Sequence, residues 1–205
     1  MKKKTFNNED EWLDYRRGKI TGTRVNAIKA KDGKGKEFWE ILAERVAIPS
    51  NEENVIERGK RLEYYAIEKF AELTGKIVSN ELVMWVSDKD ERIACSPDGE
   101  IENENSAVEV KCLASGLHLE AYFTKDYPKS STLYKTYKAQ ARQYFQVNDK
   151  LEKLYVVFYD PRCPIDMHYI TIERKDIEKE LEDDLLDIQT TLSELDRLEA
   201  EIINI

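Results

Sequence analysis

The sequence predicts an α/β fold in which helices flank a mixed central sheet and a long amphipathic helix follows. Three observations predict it. Helical period around Glu57–Thr74 and again around Leu133–Val147 brackets a run of short β-rich segments, a fully apolar strand runs from Leu154 to Tyr159, and the segment from Arg174 to Ile203 carries one apolar stripe. Helix, meander, helix and central strand, in that order, make an α/β sandwich.

The first helix is expected from about Glu9 to Arg17, capped by Asn7 or Asn8 and ended by Gly18. Asp32-Gly-Lys-Gly-Lys36 reads as an exposed loop, and a second helix follows over Glu37–Val46, stopped near Pro49. The helix over Glu57–Thr74 ends at Gly75, the residue type that best takes the left-handed C′ position. The β-rich segments are Lys76–Val86, Arg92–Cys95, Glu100–Glu102 and Ala107–Cys112, with turns at Ser79-Asn80 and Asn103–Ser106, and an antiparallel meander is expected. A loop through Tyr127-Pro128 leads to the Leu133–Val147 helix, and His168–Ile172 supplies another strand. In the final helix Ile177, Leu181, Leu185, Ile188, Leu192, Leu195, Leu198 and Ile202 recur at spacings of three and four. That stripe is expected to dock on its own domain, with a subunit or partner contact as the alternative. The organisation reads as a single domain over 1–205: a helical part over 1–58, a core over 59–172 and an acidic helix over 173–205.

With 41 % hydrophobic and 36 % charged residues, the 205-residue chain has the composition of a soluble globular protein. No apolar run approaches the roughly 20 residues of a membrane span, so no membrane partner is expected and the location is read as cytoplasmic. Cys95, Cys112 and Cys163 are far apart, without a C-x-x-C pair, and read as reduced thiols. His118 and His168 are the only histidines, so histidine-based metal clusters and nucleophile–His pairs have little material. Carboxylate chemistry remains. The net charge of −9 is unevenly spread: residues 173–205 hold twelve acids against four bases, while Arg16–Lys36 holds eight bases and one acid. A basic segment on a nearly neutral body can still meet phosphates.

Alternation along Ala107-Val-Glu-Val-Lys-Cys112 puts Glu109 and Lys111 on one face of a strand and Val108, Val110 and Cys112 on the other. Alone, E-x-K is more often a solvated strand face. Eleven residues earlier, Asp98 stands in Cys95-Ser-Pro-Asp-Gly99, favoured turn chemistry in its own right. Together they bring two carboxylates and a lysine to one end of a hairpin, oxygen ligands of the kind hard divalent cations take. On a helical wheel with Leu62 at 0°, Leu73, Ala66, Phe70 and Ile67 fall near about 20°, 40°, 80° and 140°, and Glu63 falls at about 100°, inside the apolar arc. A carboxylate there needs a cation or donors to offset its desolvation. Gln140 sits in the same way among Tyr137, Ala141, Tyr144, Phe145 and Val147, either holding a reacting group or satisfied within a core.

These pieces occur in a consistent order: Trp12-x-x-x-Arg16-x-Gly18-x-Ile20-Thr-Gly-Thr23, Gly59-Lys-x-x-Glu63, Ala94-Cys-Ser-Pro-Asp98-Gly, Glu109-x-Lys111-Cys112 and Ala139-Gln140. In that order they resemble the lambda exonuclease family, also called the YqaJ-like viral recombinases, within the PD-(D/E)XK superfamily. The resemblance implies a restriction-endonuclease-like core and a deoxyribonuclease that uses two Mg²⁺ ions, with Mn²⁺ able to substitute. Asp98, Glu109 and the main-chain carbonyl of Val110 would hold the metals, and Lys111 would orient or deprotonate the water, steadied by Gln140. Glu63 and Asp88 would complete the second metal's surroundings, with Asp90 or Glu91 as alternatives to Asp88. Arg16 and Thr23 match positions that bind a 5′-phosphate, and Thr23 departs from the usual serine while keeping the hydroxyl.

The implied activity is 5′-to-3′ degradation of double-stranded DNA to 5′-mononucleotides, in recombination with a single-strand annealing protein. A homotrimer in the cytoplasm of a bacterial or phage-infected cell is implied as well. The rivals are an endonuclease on the same core, whether restriction or junction-cleaving, and a non-catalytic DNA-binding module. The second rival would lack a metal ligand or the lysine, and neither is missing.

Overall fold

The computed structural model describes residues 7–17, 35–49, 55–79, 81 and 83–203. Helix α1 (Glu9–Arg16) starts on Asn8, whose Oδ1 accepts the Glu11 N–H at 2.9 Å. One of the two expected caps is thereby selected. Helices α2 (Lys36–Val46) and α3 (Val55–Thr74) follow, and Gly75 ends α3 with φ +68°. Strands β1 (Val78–Ser79), β2 (Trp85–Val86), β3 (Ala94–Cys95), β4 (Gly99–Ile101) and β5 (Ser106–Lys111) come next, then α4 (Ser115–Thr124) and α5 (Tyr134–Val147). Strands β6 (Lys153–Tyr159) and β7 (Met167–Glu173), a 3₁₀ turn (Arg174–Asp176) and α6 (Glu178–Ile203) complete the order.

The result is a mixed α/β fold with a five-stranded sheet, β1-β4-β5-β6-β7, and a two-stranded sheet, β2-β3. β1 with β4, β4 with β5, and β2 with β3 pair antiparallel. The expected meander therefore divides. Lys76–Val86, expected as one β-rich stretch, supplies a strand to each sheet. Gly99 allows the close approach of β1 to β4, because a Cβ there would stand 2.6 Å from Val78 Cγ1 and 3.2 Å from Ser79 O. Pro-Asp-Gly thus opens a strand, and its glycine is needed for packing more than for a turn.

The chain forms two compact units. The first holds Met1–Lys76, Val110–Lys135 and Val156–Ile170. Within it α2 packs on α4, with Trp39, Ala43, Leu119 and Cys163 as one buried cluster and Phe123 stacked on Trp39 at 5.8 Å. Gly116 permits that approach, since a Cβ would lie 3.2 Å from the main chain of Trp39 and Glu40. α3 buries Leu62, Ala66, Ile67 and Phe70, while Leu73, expected on the same face, is 65 % exposed. At the last turn before Gly75 the helix has run past its core.

The second unit holds Ile77–Glu109, Thr136–Tyr155 and Thr171–Ile205. Here α5 buries Ala141, Tyr144, Phe145 and Val147. Arg174 donates to the carbonyls of Phe145, Asn148 and Leu151 at 2.7–2.8 Å, satisfying acceptors that the end of α5 leaves open. α6 is held by Arg142–Asp184, Arg92–Asp196 and the Gln146 amide on the Leu181 carbonyl. Its apolar stripe docks over only part of its length. Leu181 is buried and Leu185, Ile188 and Leu192 are half-buried, whereas Leu195, Leu198 and Ile202 are exposed.

Candidate active site

Strand β5 ends with Glu109, Val110 and Lys111. Glu109 is 3 % exposed, and both its oxygens are held from one face of α5. The Gln140 amide donates to Oε1 at 2.8 Å, and the Tyr144 hydroxyl donates to Oε2. Gln140 and Tyr144 stand four residues apart, so one helical turn brings both donors to one carboxylate. Such a pairing fixes the carboxylate's position and rotation, because neither oxygen can turn away without breaking a charge-assisted bond.

Asp98 stands just ahead of β4, against the same strand. Its N–H donates to the Val108 carbonyl at 3.1 Å, immediately beyond the Gly99–Val108 pair, so residue 98 lies against β5 beside Glu109. The Tyr144 hydroxyl registers both acids. Its pKa is raised above the ordinary tyrosine value, first by burial, then by the Glu109 charge and hydrogen bond, and then by the Asp98 charge. Tyr144 also lies 3.0 Å from the Ser96 carbonyl, and its ring meets Trp85 edge-on with centroids 6.2 Å apart. Trp85 in turn donates its indole N–H to Glu100 at 2.7 Å. Burial, then Glu109, pushes the Cys95 thiol up to about 12, so a neutral thiol stands beside the acids.

Two neighbouring carboxylates repel one another, and a cation beside them relieves that repulsion. Oxygen donors with no thiolate or imidazole among them suit a hard divalent cation. Among the described residues no three Asp, Glu, His or Cys side chains gather into a ready-made cluster, so a cation here would draw on main-chain or solvent oxygens as well. The acids fit such an ion.

The other residues read from the sequence fall as follows. Lys111 closes β5 half-buried, and Glu63 lies half-buried on α3, flanked around the helix by the buried Phe70 and Ile67. Asp88 is exposed on the turn after β2. Its neighbour Asp90 is engaged by Arg92, whose hydrogen bonds hold the carboxyl down to about 2. Arg16 is the last residue of α1, but its side chain, and Thr23 altogether, lie outside the described residues. Gln140, left open between a reacting-group holder and a core glutamine, is an exposed residue whose amide is bound to Glu109.

Sequence reasoning missed Tyr144, which counted as part of the apolar arc of α5. Its four-residue spacing from Gln140 was the available signal. The histidines are both structural: His118 Nε2 lies 2.7 Å from the Ile165 carbonyl, His168 Nε2 lies 3.1 Å from the His118 carbonyl, and their rings meet at 4.7 Å.

A family model described as the YqaJ-like viral recombinase domain matches residues 11–150. No curated protein sequence matches the chain. Among solved structures, the chain is similar to an alkaline exonuclease, LHK-Exo, from Laribacter hongkongensis, at 24 % identity and a TM-score of 0.54, covering 95 % of this chain and all of the other. The same exonuclease in complex with dAMP gives 23 % identity, a TM-score of 0.54 and the same coverage. At these identities the likeness is one of fold.

Proposed function

From the premise that this chain belongs to the YqaJ-like viral recombinase family of lambda-type nucleases, we propose that it is a divalent-metal-dependent, 5′-to-3′ exonuclease of double-stranded DNA. The observation that supports this most is the buried Glu109 carboxylate, fixed through both oxygens beside Asp98 on the strand that ends in Lys111. In this reading the chain works as one nuclease domain. Asp98, Glu109 and the Val110 carbonyl would hold the ions, Mg²⁺ with Mn²⁺ as substitute, and Glu63 and Asp88 would complete the second ion's surroundings through ligands or bound waters. Bound divalent cations supply Lewis acidity toward the scissile phosphate and the leaving oxygen. Lys111 orients or deprotonates the attacking water, its stem fixed by β5. Gln140 and Tyr144 keep Glu109 from rotating, so the acid is presented in one pose before substrate arrives. Arg16 and Thr23 bind the terminal 5′-phosphate. An annealing protein that takes up the exposed strand, and assembly as a homotrimer in the cytoplasm, complete the proposal.

Linear duplexes labelled at the 5′ or 3′ end, digested with Mg²⁺, test it. Early release of labelled 5′-mononucleotides is expected, with no cutting of closed circular DNA. Asp98→Ala, Glu109→Ala and Lys111→Ala should each abolish release while leaving the fold intact. Near-normal digestion by the first two would overturn the metal assignment, and cuts in closed circles would turn the reading to an endonuclease.

A further inference from the structure

A second buried charge cluster lies in the first unit, and the proposed chemistry makes no use of it. Arg58, on α3, is 6 % exposed, and Asp160, just past β6, is fully buried. One guanidinium nitrogen of Arg58 donates to Asp160 Oδ1 at 2.8 Å. The second terminal nitrogen donates to the Leu113 carbonyl at 3.2 Å and the Cys112 carbonyl at 3.4 Å. Asp160 is completed by Arg162, whose Nε and terminal nitrogen donate at 2.8 and 2.9 Å, and by the Ser115 hydroxyl at 2.6 Å.

A buried ion pair of this kind is weak evidence for stability, because desolvating the charges offsets most of their attraction. Its placement explains more. β5 ends at Lys111, and the carbonyls of residues 112–114 follow in the stretch that links it to α4 and belongs to neither strand nor helix. Arg58 supplies donors to the first two, and Ser115, which opens α4, is tied to the same Asp160. The exit of β5 is thus fastened to α3 within one or two residues of Lys111. Five residues along α3 stands Glu63, on the same rigid helix. We infer that Arg58, braced by Asp160, is a positioning residue that fixes Lys111 at the end of β5 and sets it in one frame with Glu63. Arg58 touches neither substrate nor metal in this assignment, and it acts through the main chain that carries Lys111. A lysine could keep the charge but not span two carbonyls and a carboxylate together.

The inference rests on the nuclease reading, and its test separates the two. Wild type, Arg58→Lys, Arg58→Met and Asp160→Asn are compared as full chains in Mg²⁺ for kcat and KM on linear duplex, with Mn²⁺ affinity and thermal melting measured alongside. A displacement of about 1 Å at a reacting group lowers turnover roughly a hundredfold, and that fall in kcat is expected for both Arg58 variants. KM for DNA and Mn²⁺ affinity should stay near wild type. In a further variant, Arg58→Ala, methylguanidinium should restore part of the rate, which lost packing alone would not allow. Wild-type kcat in Arg58→Met, or a loss that tracks melting temperature and KM together, overturns the inference and leaves the nuclease reading standing. A wild-type chain that does not cut DNA sinks both.

Discussion

Replacing Tyr144 by phenylalanine removes one oxygen and keeps the ring against Trp85. Glu109 retains Gln140 on Oε1 but loses the Tyr144 donor on Oε2, and at 3 % exposure water has little access to replace it. A hydrogen bond to a charged group is worth about 1.5–3 kcal/mol. At about 2–4 °C per kcal/mol for a chain of this size, Tyr144→Phe should melt roughly 3–12 °C below wild type in EDTA. The raised pKa of Tyr144 keeps the phenol protonated through the working range, so the deficit should not vary between pH 6 and 9. With Glu109 engaged by Mg²⁺, the missing donor matters less, and the gap should close by half or more. Thermal and urea melts of both proteins, with EDTA and with saturating Mg²⁺, provide the assay. Equal melting in EDTA would refute the hydrogen-bond argument. A gap that persists unchanged in Mg²⁺ would refute the link between Glu109 and the cation.

His168, pushed down to about 4 by burial and then by His118, is neutral in the native state and has an ordinary unfolded value. The stability this protects is therefore complete above about pH 6.5 and is lost as pH falls toward 4, by up to roughly 3 kcal/mol. Urea melts at pH 7.5 and 5 should show the fall, and His168→Asn should flatten it. Arg16→Ala should erase most of the preference for 5′-phosphate over 5′-hydroxyl ends, roughly a tenfold to hundredfold effect, while digestion of 5′-hydroxyl ends changes far less. Equal loss on both substrates would make Arg16 a general DNA or folding contact. EDTA should stop digestion and added Mn²⁺ restart it, whereas Ca²⁺ should support DNA binding better than turnover.

The helices that sequence revealed are those with one apolar face. α3 and α5 show a 3.6-residue period because each buries one side and wets the other, and Asn8 and Gly75 mark boundaries through local chemistry. α4 has no such period. Its residues Gly116, His118, Leu119, Glu120 and Ala121 are all buried, including a glycine, a histidine and a glutamate that amphipathic reasoning would assign to a surface or a turn. What holds α4 as a helix is tertiary: α2 on one flank, and Ser130, from the loop ahead of α5, satisfying Glu120. The division of Lys76–Val86 between two sheets escaped for a related reason. Strands of two residues carry too little alternation to reveal which neighbour they pair with.

The site divides along the same line. Glu109 and Lys111 are legible because strand alternation puts them on one face, and Asp98 is legible as a carboxylate at the mouth of a short strand. Glu63 was expected inside an apolar arc and is half-buried there, between the buried Phe70 and Ile67, while Leu73 is exposed because it stands in the last turn before Gly75. Tyr144 was illegible for another reason. A tyrosine on an apolar arc reads as core, and its ring does serve the core, while its single hydroxyl reaches Glu109. Residues with an apolar body and one polar tip therefore hide functional donors from periodicity, since the body sets the pattern and the tip makes the contact. The carboxylate beside Tyr144 reveals it: once Glu109 is placed in a dry interior, physical chemistry requires donors for both oxygens, and α5 offers them one turn apart.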